Sequence, residues 1–267
     1  MAQVNIRSME KWGGRVKLVV FDLDGTLAPS KSHIDSIMAK LLSQLLTVAK
    51  VAVISGGRYS QFQEQFLSRL TIASNLKHNL FLFPTTATSF FRYRVGWRKV
   101  YAHNLTLREK QKIKRAFHEV FGANNYSQPT HHYGQIIEDR DTQITFSALG
   151  QKAPVSAKEK WNKKYNSLRL VLRRELQKLL PEFEVRSGGL TSIDVTKKGI
   201  DKTYGIRQIE KHLKIPRSVM LFVGDAIYIG GNDYAAVKTG VRYLKVDSPK
   251  ETKKFIQAFV SLAKSRS

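Results

Sequence analysis

Asp22 and Asp24 stand one residue apart in Asp22-Leu-Asp-Gly-Thr26, directly after an apolar run at residues 16–21. The carboxyl ends of parallel strands are where open α/β sheets bind their ligands, so two carboxylates there suggest chemistry. They suit phosphoryl transfer: Asp22 can attack phosphorus while Asp24 handles the proton of the attacking or leaving oxygen. Gly25 frees the backbone to turn, and Thr26 offers a local hydrogen bond. The same residues also suit an acidic turn that caps the next helix, so the reading depends on the rest of the chain.

Three further groups could complete such a site. Ser55-Gly56-Gly57 follows a second short apolar run and offers a hydroxyl and backbone amides to a phosphate, although Ser-Gly-Gly also makes ordinary turns. Val223-Gly-Asp225 closes another apolar run, and Gly230-Gly-Asn-Asp233 follows in a loop. Hard carboxylate oxygens from Asp22, Asp24, Asp225 and Asp233 suit Mg2+, which takes one or two carboxylates together with phosphate and water. Lys202, at the start of a helical pattern, can offset the negative charge of nucleophile and phosphate, or it can be a solvated helix start.

The elements that position these groups follow from periodicity. Residues 16–22 and 51–54 read as buried parallel strands, with apolar positions at helical spacing between them from Ile37 to Leu46. A helix over 61–70 and a strand over 80–83 continue the alternation of a doubly wound, Rossmann-like parallel sheet. Beyond Pro84 the pattern changes to a hairpin around Val95-Gly-Trp97, a helix over 107–121, strands at 135–138 and 143–147, a helix over 156–180, and strands near 183–186 and 191–195. Strand pairs joined by helices suit an α+β layer with an antiparallel sheet. The α/β alternation resumes with a helix over 202–213, strands at 219–223 and 241–246, and a closing helix from Lys250. The expected fold is α/β: a discontinuous core at 1–84 and 189–267 with an α+β cap inserted at 85–188.

In this order the motifs resemble those of the haloacid dehalogenase-like superfamily, with Asp22 and Asp24 first, Ser55 second, Lys202 third, and Asp225 with Asp233 fourth. The insertion between the second and third is similar to that family's type two (IIB) cap. Two longer stretches look specifically like the eukaryotic-type phosphomannomutases: Arg186-Ser-Gly-Gly-Leu-Thr-Ser-Ile-Asp-Val195 running into Lys202, and Gly224-Asp-Ala-Ile-Tyr-Ile-Gly-Gly-Asn-Asp233. The resemblance implies an Mg2+-dependent enzyme acting on a small phosphorylated sugar, a mutase or a phosphatase, with a hexose 1,6-bisphosphate as activator of a mutase and a homodimer formed through the cap. It implies that Ser192 and Asp194 bind sugar hydroxyls, where the residues alone read as a polar strand edge. It also implies three cap arginines for the second phosphate. Arg140 supplies the first, and Gln151 and Lys158 stand at the other two positions. Lysine binds phosphate as a point charge and glutamine brings no charge, which sets the mutase reading against the phosphatase reading. A further departure is Phe83-Pro-Thr-Thr-Ala87, where the related enzymes have an acidic-Asn-Gly turn and Thr85 and Thr86 stand instead.

Composition bounds the remaining possibilities. A chain of 267 residues, 42% of them hydrophobic, can bury one large core or two smaller ones. No apolar run reaches the roughly 20 residues of a membrane helix, and the polar residues 1–11 lack the apolar stretch of a secretory signal. A cytoplasmic protein is expected, and the absence of cysteine excludes disulfides and thiolate metal sites. The net charge of +24 is enough to attract polyanions at low salt. Its cations lie in mixed-charge stretches such as Arg108-Glu-Lys-Gln-Lys-Ile-Lys-Arg115, which read as a solvated basic surface, and no nucleic-acid-binding motif is present, so a nucleic-acid partner is not expected. Tyr93, Trp97 and Trp161, in a hairpin and an amphipathic helix, read as packing residues.

Overall fold

The structure is a computed structural model that describes residues 16–30 and 32–265. The reading of residues 1–11 lies outside the described residues. The chain divides into two compact units, residues 1–102 with 201–267 and residues 103–200.

The first unit is built on a seven-stranded sheet of order β11-β10-β1-β2-β3-β4-β5. Its members are β1 (Leu18–Asp22), β2 (Lys50–Ile54), β3 (Leu80–Phe83), β4 (Ser89–Tyr93), β5 (Trp97–Ala102), β10 (Met220–Gly224) and β11 (Arg242–Lys245). The five strands from β11 to β3 are parallel, and β4 and β5 add antiparallel to β3. Side chains alternate across a strand, and here both faces are apolar because both are covered. Val19, Phe21, Val51 and Val53 pack under α1 (Ser36–Leu45), α2 (Tyr59–Gln65) and α8 (Pro249–Lys264) through Met38, Phe62 and Phe255. Leu18, Val20, Ala52 and Ile54 face α6 (Lys202–Leu213) and the short α7 (Tyr234–Val237) through Ile206, Ile209 and Val237. A mostly parallel sheet wrapped on both faces is the expected α/β core.

The second unit is a four-stranded antiparallel sheet of order β6-β7-β9-β8, formed by β6 (Ile137–Asp139), β7 (Gln143–Ser147), β8 (Phe183–Gly188) and β9 (Ser192–Lys197). Ile144, Phe146, Ile193 and Val195 pack one face against α4 (Leu107–Ala123) and α5 (Val155–Leu179). Trp161 belongs to that core and is 7% exposed, as expected of a packing residue. Thr106 and Glu109 form a reciprocal capping box that starts α4.

The units divide at 102/103 and 200/201, where the pattern change suggested 84/85 and 188/189. At the first boundary the chain turns back on itself in α3 (Pro84–Ala87), so β4 pairs with β3 and puts Phe90 and Phe91 into the two cores of the first unit. At the second, β9 lies between β7 and β8, which keeps residues 192–197 in the antiparallel sheet. Among the described residues no helix is long and apolar enough to cross a membrane.

Candidate active site

Strand order decides where the carboxylates meet. Because β1 lies between β10 and β2, the residues after β1, β2 and β10 emerge at one sheet end. Asp22 closes β1 at that end, and Ser55 and Asp225 directly follow β2 and β10 there. Asp22 is 4% exposed, and its Oδ1 accepts a hydrogen bond from Lys202 Nζ at 2.5 Å. Lys202 opens α6 directly behind its N-cap Asp201, whose carboxylate accepts from Tyr204 N at 2.9 Å. The same ammonium donates to Asp233 Oδ1, and Asp233 Oδ2 accepts from Ala226 N at 3.0 Å. Asp233 is fully buried.

One oxygen from each of Asp22, Asp225 and Asp233 lies within 4.8 Å of the others. Asp24, half-buried in the following turn, stands outside this triad. Thr26 Oγ1 donates to Asp225 Oδ1 at 3.0 Å, so its partner lies 199 residues away where the sequence suggested a local bond. Gly25 has φ +86°, and a Cβ there would stand 2.5 Å from Asp225 Oδ2. Only glycine accommodates both the turn and the carboxylate against it.

Electrostatics follow from crowding three acids, two buried and one half-buried, around one buried base. Burial pushes the Asp22 carboxyl well up; Lys202 opposes this, and the charges of Asp233 and Asp225 add to it. Asp225 is raised by burial and then by Asp233, against the Thr26 hydrogen bond and Lys202. Burial acts to lower Lys202, but Asp22 and Asp233 outweigh it and hold the ammonium above its ordinary value. Three carboxylates and one ammonium leave two negative charges in excess, which one divalent cation would cancel. All-oxygen donors at this spacing fit a hard cation such as Mg2+, so this cluster can hold a metal ion.

Ser55, 2% exposed, sits beside the triad's strand with its hydroxyl accepting from Gly57 N at 3.2 Å, and Gly56 is half-exposed between them. This loop is clamped from an unanticipated direction. Thr85, Thr86 and Ala87 are all left-handed, with φ of 49°, 55° and 62°. Their turn aims Thr85 N at Gly57 O and Thr86 N at Ser55 O, both 2.9 Å. Thr88 Oγ1 donates to Thr85 O at 2.7 Å and steadies the turn. The sequence offers Thr85 and Thr86 as replacements for the hydrogen bonds of the missing Asn-Gly turn, but not their left-handed backbone, which carries no local signature in threonine.

The antiparallel sheet carries Ser192 and Asp194 on its polar face, with Arg140 just past β6, while Gln151 and Lys158 lie before and within the first turn of α5. Register aligns Glu138, Thr145, Asp194 and Arg186 in one row across β6, β7, β9 and β8. Arg140, 8% exposed, donates through Nε to Glu138 Oε2 at 2.8 Å. Thr145 Oγ1 donates to Asp194 Oδ1 at 2.8 Å and accepts from Gln143 Nε2 at 2.8 Å, a chain the sequence reading missed. Ser192 pairs with Ser147 in the register that leads to this row. At the start of α5 the buried Lys158 donates to the Gln151 carbonyl at 3.3 Å, bringing those two candidates together.

Comparisons with known proteins place the chain in a family. The eukaryotic phosphomannomutase family matches residues 38–262, which include Ser55, Lys202, Asp225 and Asp233 and begin after Asp22 and Asp24. A phosphomannomutase of Schizosaccharomyces pombe is 27% identical over 236 residues, covering 81% of this chain and 83% of its own. Among solved structures, a Plasmodium falciparum IMP-nucleotidase overlays with a TM-score of 0.67 at 17% identity, covering 96% of this chain and 70% of that one. A haloacid dehalogenase-like hydrolase from Bacteroides thetaiotaomicron gives 0.62 at 15% identity, covering 91% and 98%. These structural likenesses establish the fold. With the family match spanning most of the chain, this protein belongs to the eukaryotic phosphomannomutase family.

Proposed function

We propose that the chain transfers the phosphoryl group of a phosphosugar through an aspartyl-phosphate on Asp22, interconverting a hexose 1-phosphate and 6-phosphate. The observation that carries this reading is the buried Asp22 carboxylate held by Lys202 at the end of β1. Asp22 attacks phosphorus in line, the bond from phosphorus to the sugar oxygen breaks, and Asp24 gives that oxygen its proton. Asp24 then takes the proton of the acceptor hydroxyl as that oxygen attacks the aspartyl-phosphate, which regenerates Asp22. Lys202 offsets the charge of the transferring group, and Ser55 and Gly56 bind its oxygens. Asp22, Asp225 and Asp233 would hold Mg2+, and Asp233 also fixes Lys202. When bound, Mg2+ supplies charge stabilisation to the phosphoryl oxygens. Arg140 and Lys158 take the second phosphate, beside Gln151, and Ser192 and Asp194 take sugar hydroxyls.

Gln151 favours hydrolysis instead, since it brings no charge where the resemblance implies an arginine. A direct assay separates the two. The protein is incubated with Mg2+, mannose 1-phosphate and a trace of a hexose 1,6-bisphosphate, and mannose 6-phosphate and inorganic phosphate are both followed. Isomerisation that outpaces phosphate release is expected. Phosphate release alone makes the enzyme a phosphosugar phosphatase, and full turnover in Asp22→Asn overturns the aspartyl-phosphate reading for both.

A further inference from the structure

The excess of positive charge resolves into two kinds of surface. Around α4 and α5 several cations meet carboxylates: Lys110 bridges Asp139 at 3.0 Å, and Lys178 bridges Glu175 at 2.9 Å. The β4–β5 hairpin is different. Between Glu64 and Ala102 the chain has six Lys or Arg and no Asp or Glu. Strand pairing gathers four of these cations, Arg92, Arg94, Arg98 and Lys99, on this one hairpin. Lys77 joins them, its ammonium 5.2 Å from the centre of the Tyr93 ring. Among the described residues none of the five is paired with a carboxylate.

Two features go beyond a solvated edge. Arg92 and Arg98 are direct cross-strand partners, an arrangement in which like charges oppose pairing, and Arg92 Nε is buried without a hydrogen-bond partner. On the opposite face Tyr93 and Trp97 are also cross-strand partners, with rings 5.7 Å apart at 75°. Both are half-buried, so each is held by packing while keeping part of its surface in solvent. A sheet edge is commonly protected from self-pairing by charge on the edge strand, which explains Arg98 and Lys99. It does not explain Arg92 on the inner strand, Lys77 outside the hairpin, or the two rings.

We propose that the β4–β5 hairpin binds single-stranded nucleic acid. Rigid aromatic surface beside unpaired cations is the combination that holds a single strand: bases stack on Tyr93 and Trp97, and phosphates meet Lys99 and Lys77 on that same face with Arg94 at the turn, while Arg92 and Arg98 on the reverse face add to the field. Bases of a duplex are already stacked on each other, so a single strand is the form that uses Tyr93 and Trp97. The diffuse basic charge read from composition attracts polyanions of any kind; the hairpin adds a site.

The test is fluorescence anisotropy of a short fluorescein-labelled oligouridylate titrated with the whole protein from about 50 to about 200 mM salt. Arg94 and Lys99 are exposed, so Arg94→Glu with Lys99→Glu leaves the cores untouched. This double variant is expected to weaken binding at least tenfold and to lower the slope of log affinity on log salt by about 1.4, for two phosphate contacts on a single strand. Lys160→Glu with Lys163→Glu, also exposed, makes the same charge change on α5 and is expected to alter affinity less than twofold. Tyr93→Leu is expected to lose about tenfold for the single strand and nothing for a duplex of the same length. Equal losses in the two charge variants, a duplex bound as tightly as the single strand, or no binding by the unaltered protein overturns the proposal. The readout needs no turnover, so its failure is distinct from failure of the phosphotransfer reading.

Discussion

Thr26 Oγ1 donates to Asp225 Oδ1 at 3.0 Å and so ties the loop after β1 to the end of β10. The bond fixes one oxygen of Asp225 and leaves the other directed past Gly25, where any side chain would collide with it. In Thr26→Val the shape is kept and the donor is lost. Groups that orient a metal ligand commonly matter 10- to 100-fold for metal affinity, so half-saturating Mg2+ is expected to rise about tenfold. Mg2+ titration of activity, checked by calorimetry, measures this; unchanged affinity would remove Asp225 from the metal site.

Lys202→Met keeps the length of the side chain and removes its charge. Two buried carboxylates, Asp22 and Asp233, then lack their ammonium, and breaking a buried ion pair from one side costs about 3–5 kcal/mol. Without divalent cation the variant is expected to melt far below the unaltered protein, and Mg2+ is expected to raise its melting temperature by more than it raises that of the unaltered protein. Identical Mg2+ responses in the two proteins would mean that cation and lysine do not share the cluster's charge.

Thr86 is held at φ 55°, a conformation that costs an L-residue about 1–2 kcal/mol and is tolerated better by asparagine. Thr86→Asn retains the backbone bond to Ser55 O and is expected to stabilise the fold by about 0.5–1 kcal/mol. Thermal or urea denaturation measures the difference. A loss of stability would assign Thr86 a side-chain contribution larger than its backbone strain.

Asp35 caps α1, accepting from Met38 N at 2.9 Å, and pairs with Lys253 of α8. Burial acts to raise its carboxyl, but the hydrogen bonds from Lys253 and Met38 and the charge of Lys253 prevail, so its folded value lies below the usual carboxylate range. A lowered folded pKa stabilises the ionised state. Its contribution is complete above the unfolded pKa of about 4 and is lost as pH falls through the folded value. Asp35→Ala is expected to cost about 1 kcal/mol at neutral pH, as removal of an N-cap does. The gap to the unaltered protein should close in acid, measured by denaturation across pH; a gap independent of pH would remove the charged cap as its source.

The four motifs were legible because each is local. A carboxylate after a short apolar run, as in Asp22 and Asp225, needs no knowledge of its neighbours to be recognised as a strand-end acid. The helix at Lys202–Leu213 was equally readable, since its N-cap Asp201 and its apolar spacing lie within one stretch. The unit boundaries were less readable. The hairpin at 89–102 has the composition of either sheet, and only the left-handed turn at Thr85–Ala87 returns it alongside β3.

The sequence by itself determined which groups are candidates for chemistry and which elements bear them, because residue type and periodicity are properties of neighbours in the chain. Tertiary structure decided who meets whom. It joined Thr26 to Asp225, Lys202 to both Asp22 and Asp233, and Gln143 through Thr145 to Asp194, and it gathered Arg92, Arg98, Tyr93 and Trp97 on one hairpin. Those contacts depend on strand order and register, which are set by burying apolar faces along the whole chain rather than by any short segment.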